Sequence, residues 1–130
     1  MNAITASEKA RLLLADDHVL VAQGLERLLL ECFCHIDIVR SGEALVEAVQ
    51  REPPDVVVTD VSMEGMSGLD AMRALRALGH EVPFVFLTMH ADPELAAEAI
   101  QSGASGYVLK ASAGEELVRA ILEVLAGRTY

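Results

Sequence analysis

Five side chains carry most of the chemistry open to this sequence. Asp16 and Asp17 follow an apolar run at 12–15, and Asp60 follows one at 56–59. Thr88 closes the run at 84–88, and Lys110 comes directly after the run at 107–109. If these runs are parallel strands, three carboxylates, a hydroxyl and an ammonium converge on one rim of a sheet. Carboxylates crowded in that way repel one another, so either one holds a proton or a cation sits among them. Oxygen ligands at a water-accessible rim suit Mg2+, which accepts one or two carboxylates together with waters and phosphate oxygens. A carboxylate can itself attack phosphorus to give an acyl phosphate. Phosphoryl transfer then asks for in-line positioning and neutralised charge on the equatorial oxygens. Mg2+, Lys110 and the Thr88 hydroxyl would each supply one partner. Singly, each residue has a plainer reading: Asp17 as a helix cap, Thr88 as a strand residue, Lys110 as solvated surface. Their joint placement at four strand ends favours the chemical one.

The elements that must position these groups are legible as a repeat. Apolar runs at 12–15, 36–39, 56–59, 84–88 and 107–109 alternate with segments of helical period. Several runs are near-continuous Val, Leu and Phe, as in strands covered on both faces. Between them, Val21, Leu25, Leu28, Leu29 and Cys32 share one helical face; Leu69, Met72, Leu75 and Leu78 form a second stripe, and Leu117, Ile121, Val124 and Leu125 a third. Pro53-Pro54 ends the second helix, Asp92-Pro93 reads as N-cap and N1 of the fourth, and Gly103 and Gly127 fit helix stops. Five strand–helix units with helical crossovers imply an α/β fold, a flavodoxin-like doubly wound (βα)5 parallel sheet in the order 2-1-3-4-5. Ligands of such sheets bind beyond the carboxyl ends of the strands, where the five side chains should gather. Asp60, on the central strand, is the best-placed nucleophile.

Composition excludes several classes. The 130 residues include 10 Lys+Arg against 20 Asp+Glu, a net charge of −10, so this segment is not expected to bind nucleic acid or an anionic membrane surface. A 52% hydrophobic content excludes a disordered chain. No apolar run approaches a membrane span, and the first ten residues are polar, with no secretory pattern; the expectation is a soluble, cytoplasmic protein. Cys32-Phe33-Cys34-His35 falls short of the paired spacing of a structural zinc site and reads as buried reduced thiols at a helix-to-strand join.

At this point the sequence resembles a response-regulator receiver (CheY-like) domain of two-component signalling. The matching stretches are Leu13-Leu14-Ala15-Asp16-Asp17-His18, Asp55-Val56-Val57-Val58-Thr59-Asp60-Val61-Ser62-Met63, Met66-Ser67-Gly68-Leu69, Leu87-Thr88-Met89-His90 and Gly103-Ala104-Ser105-Gly106-Tyr107-Val108-Leu109-Lys110. The flavour is that of the NarL/FixJ group, whose members usually carry a C-terminal LuxR-type helix-turn-helix. The resemblance implies a receiver over residues 11–127, an N-terminal tail over 1–10, and at 128–130 the start of a linker to a C-terminal DNA-binding module, with a stand-alone receiver as the alternative. It implies that Asp60 is the phosphoacceptor for a histidine kinase. Asp17, Asp60 and the Ser62 backbone carbonyl would hold Mg2+, with Asp16 acting through a metal water. Lys110 would pair with the phosphoryl group, Thr88 would move toward it and Tyr107 would change rotamer. The fourth helix, fifth strand and fifth helix would carry the change to a partner, to a second copy in a homodimer, or to the transcriptional output. The domain would be no enzyme beyond its own phosphorylation and dephosphorylation.

The sequence departs from the family pattern in two places. Glu64 stands where Pro is usual, placing another acid by the site in a less rigid loop. Ala111 follows Lys110 where many receivers have a cis Pro, which leaves a trans bond with an altered loop or a strained cis one. Ser62 and His90, two residues beyond Asp60 and Thr88, occupy positions that tune hydrolysis. His18 stands close enough in sequence to approach the acidic rim, or simply to cap the first helix. Three other functions compete. A haloacid-dehalogenase-type phosphatase wants a second Asp at position 62, where this chain has Ser. A flavodoxin-like cofactor binder would not place Asp16-Asp17 against an anionic phosphate. An atypical receiver that signals without phosphate would not keep all five signature positions.

Overall fold

The computed structural model describes residues 9–130. Five parallel strands, β1 (Arg11–Ala15), β2 (His35–Val39), β3 (Val56–Asp60), β4 (Phe84–Thr88) and β5 (Gly106–Leu109), form one sheet in the order β2-β1-β3-β4-β5. Helices α1 (Val19–Leu30), α2 (Gly42–Arg51), α3 (Gly68–Ala77), α4 (Pro93–Gln101) and α5 (Ala113–Leu125) make the connections. The expected doubly wound fold and strand order are therefore present.

Strand alternation divides the apolar residues between two cores. Leu12 and Leu14 of β1 join Val56, Val58, Val85, Leu87 and Val108 beneath Leu25 and Leu29 of α1 and Leu117, Ile121 and Val124 of α5. Leu13, Ala15, Val57, Phe84 and Phe86 face the other way, under Leu45 and Val49 of α2, Leu69, Met72 and Leu75 of α3, and Ala99 of α4. Every residue of β3 is buried, which explains its run of Val, whereas β2 at the sheet edge buries none fully.

The helix starts follow local chemistry. Ser41 and Ser67 accept hydrogen bonds from the Ala44 and Asp70 amides, and Asp92 accepts from Glu94 and Leu95 ahead of Pro93. Gly103 and Gly127 end α4 and α5 with φ of +114° and +87°.

Three sequence expectations need correction. The α1 stripe is displaced: Ala22, Leu25 and Leu29 are buried, while Val21 is exposed. A small Ala holds the inward position that the larger Val was expected to take. Cys32 and Cys34 are both exposed rather than buried, because Phe33 between them fills the core at the join. Leu78 is exposed because α3 has already ended and the chain turns through Gly79 at φ +89°.

Of the expected tail at 1–10, residues 1–8 lie outside the described residues, and Ala10 is buried in the first core. Residues 128–130, expected to begin a linker, lie against the domain. The Tyr130 amide donates to Ser105 O at 2.9 Å and its phenol to Glu116 at 2.8 Å.

Candidate functional site

The carboxyl ends of β1, β3, β4 and β5 bring the five residues to one rim. Asp60 is the last residue of β3 and pairs in register with Leu87, one residue before Thr88. Asp16 and Asp17 follow β1, and Lys110 follows β5. Asp16 and Asp60 are only 1% and 3% exposed, although both are acids. Lys110 answers them: its Nζ lies 2.6 Å from Asp60 Oδ1 and 3.6 Å from Asp16 Oδ2. One ammonium facing two buried carboxylates leaves negative charge uncompensated. Burial is the largest influence on Asp60; with the neighbouring Asp16 it outweighs Lys110 and pushes the carboxyl from 3.8 up to about 7.

The remaining polar atoms are arranged around this pair. Asp16 Oδ1 accepts from the His18 amide at 2.9 Å, and Asp17 Oδ2 accepts from the Glu64 amide at 3.0 Å. The second bond ties the loop after β3 to the end of β1, so Glu64 contributes its backbone there whatever its side chain does. Asp17 does not cap α1; His18 occupies that position without a side-chain capping bond. The His18 Nδ1 instead lies 3.0 Å from Asp17 Oδ1 and 3.4 Å from Asp16 Oδ1. The Lys110–Ala111 peptide is trans, and Lys110–Ser112 forms a single 3-10 turn leading into α5.

Asp16 Oδ2 and Asp17 Oδ1 are buried atoms without a hydrogen-bond partner, and Asp60 Oδ1 beside them faces the Lys110 ammonium. Clustered carboxylate oxygens with acceptor capacity left over are what a hard divalent cation would satisfy. The residues therefore fit Mg2+. Beside them a cavity of about 340 Å³ opens between Asp60, Ser62, Thr88, His90, Leu95 and Lys110, large enough for a phosphoryl group.

The two expected switch residues differ in their hydrogen bonding. The Thr88 hydroxyl donates to His90 O at 3.2 Å. Tyr107 is half-buried against the second core and its buried hydroxyl has no partner.

Two contributors escaped the residue-by-residue reading. A Cβ on Gly68 would come 2.0 Å from the Asp60 carbonyl oxygen and 2.8 Å from Thr59 Oγ1, so only glycine lets α3 begin against the end of β3. Its amide donates to Val61 O at 3.0 Å, which holds the loop after Asp60. Thr59, fully buried, donates its hydroxyl to Asp60 O at 3.0 Å and fixes the same peptide from below. The Met66-Ser67-Gly68-Leu69 stretch carried the Gly68 signal; Thr59 looked like any β-branched strand residue.

An acid pocket of this construction at the top of a 2-1-3-4-5 sheet defines a receiver-type signalling domain. Comparison with known proteins agrees. Residues 12–122 match the response regulator receiver domain, and the chain belongs to that family. It is 39% identical over 121 residues to the response regulator UvrY of Escherichia coli (strain K12), covering 91% of this chain and 55% of that protein. It is 34% identical to the response regulator GacA of Pseudomonas aeruginosa, over 92% of this chain and 57% of that one. The chain thus spans little more than half the length of these relatives. Among solved structures, the receiver domain of the putative response regulator NarL from Mycobacterium tuberculosis superposes with a TM-score of 0.85 at 32% identity, covering 93% of this chain and 99% of that one. A LuxR-family two-component response regulator from Aurantimonas sp. SI85-9A1 gives 0.88 at 34% identity, over 93% and 88%. The fold and sequence are those of receivers of the LuxR/NarL type. Among the described residues no helix is long and apolar enough to cross a membrane.

Proposed function

We propose that the chain is a phosphorylation-dependent receiver that takes a phosphoryl group from a histidine kinase onto Asp60. The observation that carries the reading is the buried Asp60 carboxylate, paired with the Lys110 ammonium that also faces Asp16, at the edge of an open cavity. An Asp60 oxygen attacks phosphorus, the bond to the donor breaks, and the donor leaves with the bonding pair. Asp17, Asp60 and the Ser62 carbonyl would hold Mg2+, with Asp16 reaching it through a water, and the chemistry it would supply is neutralisation of charge on the phosphoryl oxygens. Lys110 is already in place to pair with the transferred group. Ionised Asp60 is the nucleophile, so neutralising the cluster also brings it into its reactive form.

The proposed switch uses Thr88 and Tyr107. Once phosphoryl oxygens occupy the cavity, the Thr88 hydroxyl gains an acceptor stronger than the His90 carbonyl. The family resemblance adds a rotamer change at Tyr107, whose unpaired buried hydroxyl costs about 1–3 kcal/mol where it stands, so turning outward relieves a penalty. The affected surface is α4-β5-α5, where Ile100 and Leu122 are exposed. That face would contact a second copy or a C-terminal helix-turn-helix that controls transcription. With a net charge of −10 this segment itself would not hold DNA, and it would turn over no substrate beyond its own acyl phosphate. Ser62 at the required acid position speaks against a phosphatase of the haloacid-dehalogenase type.

Beryllofluoride with Mg2+ tests the reading. Amide resonances of Thr88, Tyr107 and Lys110 should shift in the natural chain and stay fixed in Asp60→Asn. Shifts that persist in the variant would place the acceptor elsewhere.

A further inference from the structure

We propose that helix α4 is a lever pinned at its far end by Arg73 and Arg76 of α3, and that Arg73 is the positioning residue that confines its movement to the end beside Asp60. The proposal rests on the phosphoacceptor reading and says which side chains set the motion that follows. Helix α4 owes little to the core. Ala99 is its one buried residue, against five each in α3 and α5. A helix with so little apolar burial depends on its polar ties for position. At the far end these ties are dense. Arg73 Nη2 donates to Glu98 Oε1 at 2.8 Å and to Ser102 Oγ at 3.1 Å. Arg76 Nη2 donates to Gly103 O at 3.2 Å, while its Nη1 donates to His80 O at 3.0 Å. The Arg76 guanidinium also lies over the Phe84 ring, 5.6 Å from its centroid, which fixes this anchor to the start of β4. A Cβ on Gly103 would come 3.2 Å from Arg76 Nε, so glycine admits the guanidinium there.

The near end is held differently. Residues 89–94 are all exposed, and the Thr88 hydroxyl ties this segment to β4 through His90 O at 3.2 Å. Asp92 and Leu95, in the cap and first turn of α4, line the cavity over Asp60. When Thr88 exchanges His90 for a phosphoryl oxygen, the near end is released and the far end stays bound. Helix α4 then swings about Glu98–Gly103 instead of shifting as a whole. An isolated exposed ion pair would hold little. Arg73 does more because one guanidinium bridges two side chains of α4, with Asp70 Oδ1 3.8 Å away on its own helix to steady it.

The test is amide shift mapping and hydrogen exchange, with and without beryllofluoride and Mg2+, on the natural chain, Arg73→Ala and Arg73→Lys. In the natural chain the ligand should shift the amides of residues 90–95 strongly and those of 98–104 weakly. In Arg73→Ala the Ser102 and Gly103 amides should exchange about three- to tenfold faster, and the ligand-induced shifts should spread to the far end. Arg73→Lys should restore part of the gradient, since an ammonium can meet Glu98 but lacks the fork that also reaches Ser102. Equal shifts at both ends of α4 in the natural chain, or a gradient that Arg73→Ala leaves unaltered, would overturn the lever and leave the acceptor untouched. A natural chain in which Thr88 and Lys110 do not respond to beryllofluoride would overturn the phosphoacceptor reading itself, and the lever with it.

Discussion

Two cavities of nearly equal size show what distinguishes a reactive place from an ordinary one. One, of about 330 Å³, lies against β1, β2 and the end of α2, lined by Arg11, Asp37, Arg51, Glu52 and Pro54. The other, of about 340 Å³, lies over Asp60 and Lys110. In the first, each charge has an exposed partner: Arg11 reaches Asp37 at 3.5 Å and Glu52 at 3.1 Å, and both acids are more than two-thirds exposed. Ion pairs in water contribute little and constrain little. In the second, two acids lie almost wholly beneath the surface with a single ammonium between them. Volume does not mark function here; buried charge without full compensation does.

The contrast can be broken at Gly68, where both the fold and the site should suffer. Gly68→Ala drives a methyl into the Asp60 carbonyl, and a shift of α3 should cost about 2–3 kcal/mol in denaturant unfolding. The same variant should impair beryllofluoride binding, because the displaced peptide carries the acceptor. No comparable loss is expected from Gly24, around which there is open space.

Asp60→Asn sharpens the comparison through pH. In the metal-free fold Asp60 keeps its proton to about 7, against 3.8 for the ordinary carboxyl. A group with a raised native pKa stabilises fully below its unfolded value, and that stability is lost as pH rises through the native one. The natural chain should therefore fall behind Asp60→Asn between pH 4 and pH 7, by about 2–4 kcal/mol at pH 8. Unfolding curves at pH 4.5 and pH 8 measure the difference, and added Mg2+ should reverse its sign for the natural chain.

Lys110→Met removes the one cation that, among the described residues, faces both buried acids. The loss should be about 2 kcal/mol at neutral pH, below the full penalty for an orphaned buried charge because Asp60 can take up a proton. Arg11→Ala in the other cavity should cost less than about 1 kcal/mol and leave phosphoryl uptake unchanged. At the smallest end, Glu116 accepts the Tyr130 hydroxyl and raises that phenol above its ordinary value. Absorbance titration of Glu116→Gln should show one of the two tyrosines ionising at lower pH.

Most of the architecture could be read from residue order because each strand of the sheet's interior is a short apolar block and three of the segments that follow the strands carry a helical stripe. The site was legible for the same reason: strand ends in a parallel sheet share one edge, so Asp17, Asp60, Thr88 and Lys110 had to meet. What escaped was governed by size and close approach rather than polarity. Ala22 replaces Val21 inside α1 because packing selects volume. Phe33 takes the interior and forces Cys32 and Cys34 outward. Gly68 is needed because a carbonyl oxygen occupies the space where its side chain would be, which no hydropathy pattern records. The inward turn of His18 depends on two side-chain distances that the order of residues does not contain.

The most direct test of the central claim is intact-mass and peptide-level spectrometry after incubation with acetyl phosphate and Mg2+. The account predicts a single added phosphoryl group, labile to hydroxylamine, on the peptide containing Asp60 and absent from Asp60→Asn. A chain that gains no mass, or that carries the group on another residue when Asp60 is intact, would contradict it.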